Sequence, residues 1–270
     1  MRLVQHKKEA YWFYRFLSLG YDEWVNPLFW TTRMRERALA AARLDDPGLD
    51  TLDVGAGTGF TTEGIVARVD PANVTMLDQS PHQLARAARR PALSAVARML
   101  GDAEALPFEA DAFDRYVSAG SIEYWPDPQR GIAEAYRVLR PGGVGVVIGP
   151  VRPAGRIARA LADTWMLFPE LDEYRGWFEA AGFADVTLTP VAPDWYRDRR
   201  VPYAVAVSGV KARPGPSRLA LAPPAEDVRA PLGPLARMRV AARFAAGSLA
   251  GLAFIPIALA MTLRARWERR

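Results

Sequence analysis

Carboxylates and glycines at close spacing carry the clearest chemistry in this chain. Asp53, Gly55, Gly57 and Gly59 read D-x-G-x-G-x-G. Such glycines let the backbone turn tightly and approach a ligand with no Cβ in the way. The dinucleotide fingerprint, G-x-G-x-x-G, seats a pyrophosphate on a helix N-terminus. Here the last glycine comes one residue early and an acidic residue stands before the first, which points to a ligand carrying an amino-acid group. Asp78 follows 25 residues after Asp53. A carboxylate at that place can accept hydrogen bonds from both hydroxyls of a ribose. Gly101-Asp102-Ala103 falls where a third strand should end, with Asp102 suited to an adenine amino group and the Ala103 amide beside it. Gln79 and Ser118 are assigned to the same cofactor set.

These residues need a scaffold that gathers strand ends. Thr51–Val54 reads as a short strand ending at the glycine turn, followed by a helix over about Thr61–Val69. Val74–Leu77 is the next strand. Ser80 as N-cap and Pro81 at the first helical position start a helix to about Arg90. Phe113–Ser118 is a strand, Gln129–Leu139 a helix, Pro141-Gly142-Gly143 a turn, and Val144–Ile148 a β-branched run typical of a buried strand. Glu173–Ala181 is helical and ends at Gly182; Val186–Pro190 and Ala204–Val210 then form a terminal antiparallel pair. Strands alternating with helices predict an α/β fold with a doubly wound, mostly parallel seven-stranded sheet. Four regions follow: a helical cap over 1–45, the α/β domain over 46–212, a linker over 213–236 with six prolines, and an apolar segment over 237–270.

The loop at Asp53–Gly59, Asp78, Gly101-Asp102-Ala103 and Leu139-Arg140-Pro141-Gly142-Gly143 together resemble the Rossmann-like class I methyltransferases over about residues 45–210. That resemblance implies S-adenosyl-L-methionine as cofactor. Four further segments, His6–Asp22, Leu77–Ala85, Arg115–Leu139 and Trp165–Pro169, resemble the 2-methyl-6-phytyl-1,4-benzoquinol methyltransferases, so that the likeness covers about residues 5–212. It implies C-methylation of a ring carbon of a prenylated hydroquinol. Another hydrophobic acceptor (a menaquinone precursor, a sterol or a phospholipid) is the alternative within the enzyme class. A non-catalytic membrane protein that binds the cofactor, or an RNA-binding module, is the alternative outside it.

A hydroquinol carbon is a weak nucleophile until a phenolic proton leaves, so a base is expected. Glu123, after the fourth strand in SAGSIEYWPD, is the first candidate, against a solvated loop carboxylate. His6 is the second, against a structural histidine near the chain end. Tyr124, Trp125 and Trp165 are candidate walls for the substrate, although packing is the commoner fate of such residues. Tyr21, beside Asp22 in a dense N-terminal aromatic stretch, is assigned to a lid over the cofactor.

Composition narrows the rest. The chain has no cysteine and two histidines, which excludes thiolate sites and makes a histidine-rich metal site unexpected. Its net charge of +5 is built almost wholly from arginine. Those arginines are scattered or flank Phe244–Leu263, twenty residues without a charge and about the length that crosses a bilayer core. Membrane lipid is therefore the expected partner and nucleic acid is not. No leader segment opens the sequence, so the expected location is membrane-bound with the catalytic domain on the cytoplasmic face.

Overall fold

A computed structural model describes residues 30–165, 167–198 and 200–221, with scattered positions between 233 and 267. His6 and Tyr21 lie outside the described residues, as does most of the apolar run Phe244–Leu263. Among the described residues no helix is long and apolar enough to cross a membrane.

The strands are β1 (Thr51–Val54), β2 (Val74–Asp78), β3 (Ala97–Leu100), β4 (Phe113–Ala119), β5 (Leu139–Pro150), β6 (Phe183–Val191) and β7 (Ala204–Lys211). The helices are α1 (Thr32–Leu39), α2 (Phe60–Val66), α3 (Pro81–Ala87), α4 (Pro128–Val138), α5 (Arg156–Trp165) and α6 (Leu171–Ala181). They build a seven-stranded sheet in the order β3-β2-β1-β4-β5-β7-β6. β1 pairs in parallel with β2 on one side and β4 on the other, with Asp53 opposite Met76 and Val117. β7 runs antiparallel between β5 and β6. The run of buried residues in β1 fits a strand covered on both faces. One face packs Leu52, Val54, Tyr116 and Val147 against Tyr136 and Phe178. The other packs Met76, Val117 and Val146 against Met34, Leu39 and Ile65.

Strand order reverses between β1 and β4, so the carboxyl ends of the parallel strands open a crevice there, where open α/β sheets hold their ligands. Because Pro150 pairs with Ala204 and Ala204 with Val191, the connection from β6 to β7 lies along this same edge. Ser80 caps α3 as expected, its hydroxyl accepting from the Gln83 amide at 3.4 Å.

Three local readings need correction. The helix after the glycine loop runs Phe60–Val66 and frays into a turn in which Arg68 and Val69 bond back to Ile65. Likewise α3 stops at Ala87, with turns carrying the chain to Arg90. Pro141-Gly142-Gly143 is no turn that stops a helix. α4 already ends at Val138, Leu139 takes extended backbone, and the residues before a proline avoid the helical region. The segment is an excursion within β5: Phe113 pairs with Leu139 and Arg115 with Val144, so three extra residues bulge out, with φ +81° at Gly142.

Candidate active site

The glycine loop leaves β1 with φ values of +68°, +55° and +86° at Gly55, Gly57 and Gly59. These are left-handed conformations that residues with a side chain rarely adopt. Space demands glycine as well. A Cβ on Gly55 would lie 2.3 Å from Ser121 Oγ, and one on Gly59 would lie 2.3 Å from Leu93 Cδ1. The loop is stitched to β2: the Gly55 and Ala56 amides donate to the Leu77 carbonyl at 2.8 and 3.2 Å. The Gly57 amide donates to Asp78 Oδ2 at 2.8 Å, and the Ser80 amide to Asp78 Oδ1 at 2.8 Å. Asp78 is thus buried and fixed before any ligand arrives.

A cleft of about 390 Å³, counting its open mouth, lies beside this carboxylate. Gly55, Leu77, Asp78, Gln79, Gly101, Ala103, Ser121, Tyr124 and Trp125 line it. Of the expected residues, Gly55, Asp78, Gln79, Ala103, Tyr124 and Trp125 meet here. Trp125 also belongs to the core, with its indole N–H donating to Ser121 Oγ at 2.8 Å. Gly57 and Gly59 shape the loop without lining the cleft.

Three other assigned residues are not among those lining the cleft. Asp102 turns its Oδ1 to the Glu104 amide at 2.9 Å and so shapes the bend that presents Ala103. Ser118 is wholly buried in β4, and Ser121 takes the place at the cleft. Asp53 is buried behind the loop, where its Oδ2 accepts from Thr62 Oγ1 at 2.6 Å. Burial, with a smaller contribution from the Asp78 charge, pushes the Asp53 carboxyl up to about 7. Trp165 closes α5. Sequence reading missed Leu77, Gly101 and Ser121 as lining residues. Ser121 had a signal in SAGSIEYW, since strand ends at the sheet's switch point line such clefts.

The loop after β3 is held from below. The Leu106 amide donates to Glu134 Oε2 at 2.8 Å, and Arg137 donates to the Leu106 and Phe108 carbonyls at 2.9 and 2.7 Å. α4 therefore anchors one wall of the cleft.

Glu123 sits on a single helical turn, Ile122–Tyr124, between lining residues Ser121 and Tyr124. Its carbonyl accepts from the Leu167 amide at 3.1 Å, which fixes the turn. Its carboxyl is buried, and Oε2 has no hydrogen-bond partner among the described residues. Burial pushes this carboxyl up to about 7. Tyr174 is near enough for the Glu123 charge to help burial raise its hydroxyl well above the usual range, and that hydroxyl donates to the Pro150 carbonyl at 3.1 Å. A dry carboxyl titrating near neutrality can take up and release a proton at working pH.

The arrangement fits S-adenosylmethionine. Asp78 is a fixed carboxylate lining the cleft, and Gly55 leaves backbone where a side chain would block approach.

Comparison with known proteins agrees. Residues 52–147 match the model of the methyltransferase domain family. The chain is 54% identical over 266 residues to the rice 2-methyl-6-phytyl-1,4-hydroquinone methyltransferase 2, chloroplastic, covering 97% of this chain and 76% of that one. The Arabidopsis thaliana chloroplastic enzyme of the same name is 52% identical over 267 residues, covering 97% and 78%. Among solved structures, the fold resembles a complex of a Haloferax volcanii methyltransferase with its Trm112 activator (TM-score 0.57, 22% identity, 78% of this chain and 98% of that one). It also resembles a Thermotoga maritima S-adenosylmethionine-dependent methyltransferase (TM-score 0.57, 20% identity, 75% and 99%). The likeness to these structures shows the fold alone. Identity above one half over 97% of this chain, with the glycine loop and its aspartate in place, makes this chain a member of the 2-methyl-6-phytyl-1,4-hydroquinone methyltransferase family and an S-adenosylmethionine-dependent methyltransferase.

Proposed function

We propose that the chain methylates a ring carbon of a prenylated hydroquinol, with Glu123 as the base. The observation that carries this reading is the buried Glu123 carboxyl on the turn between the cleft-lining residues Ser121 and Tyr124, its Oε2 unpartnered among the described residues. The names of the relatives supply the substrate class.

S-adenosylmethionine supplies an electrophilic methyl group on a sulfonium. Asp78 would hold the ribose hydroxyls, with Gln79 beside it and Ala103 toward the adenine. Glu123 in its ionised form takes the phenolic proton, which raises electron density on the ortho carbon. As the new C–C bond forms the methyl–sulfonium bond would break. The ring carbon's own proton then leaves to solvent as aromaticity returns, and the Glu123 carboxyl gives its proton back to the phenolic oxygen, so one proton is released overall. Tyr124 and Trp125 wall the ring and keep water from the carboxyl. Ser121 and the Gly55 backbone fix the two halves of the cleft against each other. His6 and Tyr21 stay as a second base and a lid residue in this reading.

The segment 237–270 would hold the enzyme at the membrane where such a substrate dissolves. Its support is the uncharged run Phe244–Leu263 between arginine-rich flanks. Flotation of the full chain with anionic vesicles checks this, and recovery in the bottom fraction contradicts it. For the reaction, the detergent-solubilised chain is given labelled S-adenosylmethionine and a panel of prenylated benzoquinols, naphthoquinols, sterols and phospholipids. Label in a prenylated benzoquinol is expected. Label only in a sterol or phospholipid overturns the reading.

A further inference from the structure

The sheet ends in two edge strands, β3 and β6, and they are built differently. β6 carries the devices by which natural sheets discourage pairing at an edge. Its register shifts between Ala184 and Thr187, Asp185 within that stretch takes φ +52°, and Pro190 removes an amide. The Arg175 guanidinium also donates to the Val186 carbonyl at 3.4 Å. β3 has none of these. Its register with β2 is unbroken from Ala97 to Leu100, and it holds no proline and no residue of positive φ. Its one charged side chain, Arg98, folds back so that the guanidinium donates to the Leu93 carbonyl.

The bare edge is apolar. Met99 and Leu100 are 38% and 52% exposed, and they are the exposed large apolar side chains among the described residues of 30–221. Ala95, Ala97, Ala105 and Pro107 are exposed beside them, which widens the surface toward the roughly 800 Å² per partner that a stable dimer buries.

Its hydrogen-bonding pattern matches itself. The Gly101 amide donates to the Asp78 carbonyl of β2 at 3.1 Å. Backbone groups turn to alternate sides along a strand, so Met99 also bonds toward β2, while the amides and carbonyls of Arg98 and Leu100 face outward. A second copy laid antiparallel about a two-fold axis at Met99 sets Arg98 opposite Leu100 and Leu100 opposite Arg98, each pair exchanging both bonds. Met99 then faces its own counterpart in the closer, non-hydrogen-bonded position, about 4.5 Å between Cα atoms. With Arg98 drawn back, no like charges stand opposite each other across the axis. A strand of any other sequence would meet these outward groups without that side-chain match.

We propose that β3 is the contact between two copies of this chain, which joins their sheets edge to edge across a two-fold axis at Met99. The contact is independent of the acceptor and of the role given to Glu123.

The chain has no cysteine, so a single introduced one reports the contact. The detergent-solubilised full chain carrying Met99→Cys is oxidised mildly and run on a non-reducing gel, since opposed residues at this spacing lie within reach of a disulfide. Linked dimer is expected at least about tenfold faster than from Thr187→Cys, an exposed position on the other edge. Sedimentation velocity of the wild-type chain, Met99→Leu and Met99→Lys gives the second measurement. Met99→Lys places two ammonium groups opposite each other and should raise the dimer dissociation constant at least about tenfold, while Met99→Leu should leave it little changed. Circular dichroism and S-adenosylmethionine affinity establish that each variant is folded; if Met99→Lys is not, the cysteine comparison decides alone. Equal linking at Met99 and Thr187, or a dimer that survives in folded Met99→Lys, overturns the contact. A wild-type chain that stays monomeric up to about 0.1 mM overturns it as well.

Discussion

The two halves of the cleft are built on opposite plans. On the cofactor half, at the ends of β1 and β2, polar groups are already joined: Asp78 holds two backbone amides, and the Leu77 carbonyl holds two more. On the acceptor half, at the ends of β4 and β5, the charged group is left over: Glu123 Oε2 is buried with no partner among the described residues. A wired carboxylate is held stationary, which suits binding. A carboxyl in dry surroundings is held near the point of exchanging a proton, which suits catalysis. In the proposed reading, one end of the sheet recognises the methyl donor while its neighbour exchanges the proton.

The largest expected break is on the acceptor half. Glu123→Gln should lower kcat by about 10²–10⁴-fold with the dissociation constant for S-adenosylmethionine little changed, as steady-state turnover and titration calorimetry would measure. Unchanged turnover removes Glu123 from the reaction. On the cofactor half, Asp78→Ala should do the reverse. It removes two charge-assisted hydrogen bonds to backbone and an acceptor for the ribose, so calorimetry should find S-adenosylmethionine bound about 10²-fold more weakly. If both variants alter the same parameter, the division between the halves fails.

The seam between the halves gives a third test. Gly55→Ala combines a left-handed φ with a Cβ 2.3 Å from Ser121 Oγ. It should cost about 1–3 kcal/mol in urea unfolding and loosen cofactor and acceptor sides together. Equal stability of the variant would mean that the loop and Ser121 are not packed as described.

The cofactor half was legible because it is local. Asp53 to Gly59 and Asp78 come from one strand–loop–helix–strand unit, and each turn in it demands a residue type that the sequence shows. Even there, the directions of two carboxylates were not legible. Asp102 shapes its own bend and Asp53 is buried behind the loop, because a sequence gives strand ends but not the direction in which a side chain leaves them. The same limit hid the excursion at Pro141–Gly143, since Pro-Gly-Gly signals a turn whether it ends a helix or bulges from a strand. On the acceptor half Glu123, Tyr124 and Trp125 announced themselves, through their place after β4. Ser121 is two residues past that strand, while Tyr174 arrives from α6, about fifty residues on, and reaches the end of β5 through the Pro150 carbonyl. Their place depended on tertiary contacts that no local pattern encodes.

A further effect concerns the pH dependence of stability. Asp53 and Glu123 are raised above their unfolded values, so the folded chain holds protons that the unfolded chain releases between about pH 4 and 7. Stability should therefore fall as pH rises through that window, by up to about 1.4 kcal/mol per pH unit for each group. Asp53→Asn, which keeps an acceptor for Thr62, should flatten the fall in urea unfolding followed from pH 4.5 to 7.5. An unchanged slope would show that Asp53 does not hold its proton in the folded state.

Since both carboxyls titrate near neutrality, the pH profile of catalysis is the most direct test of how the halves divide the work. In the wild-type chain kcat/KM should rise about tenfold per pH unit up to a break near 7 and level off above it, because the base must be ionised. The break should persist in Asp53→Asn and disappear in Glu123→Gln. A break that survives in Glu123→Gln and vanishes in Asp53→Asn would contradict the account and move the titrating group behind the cofactor loop.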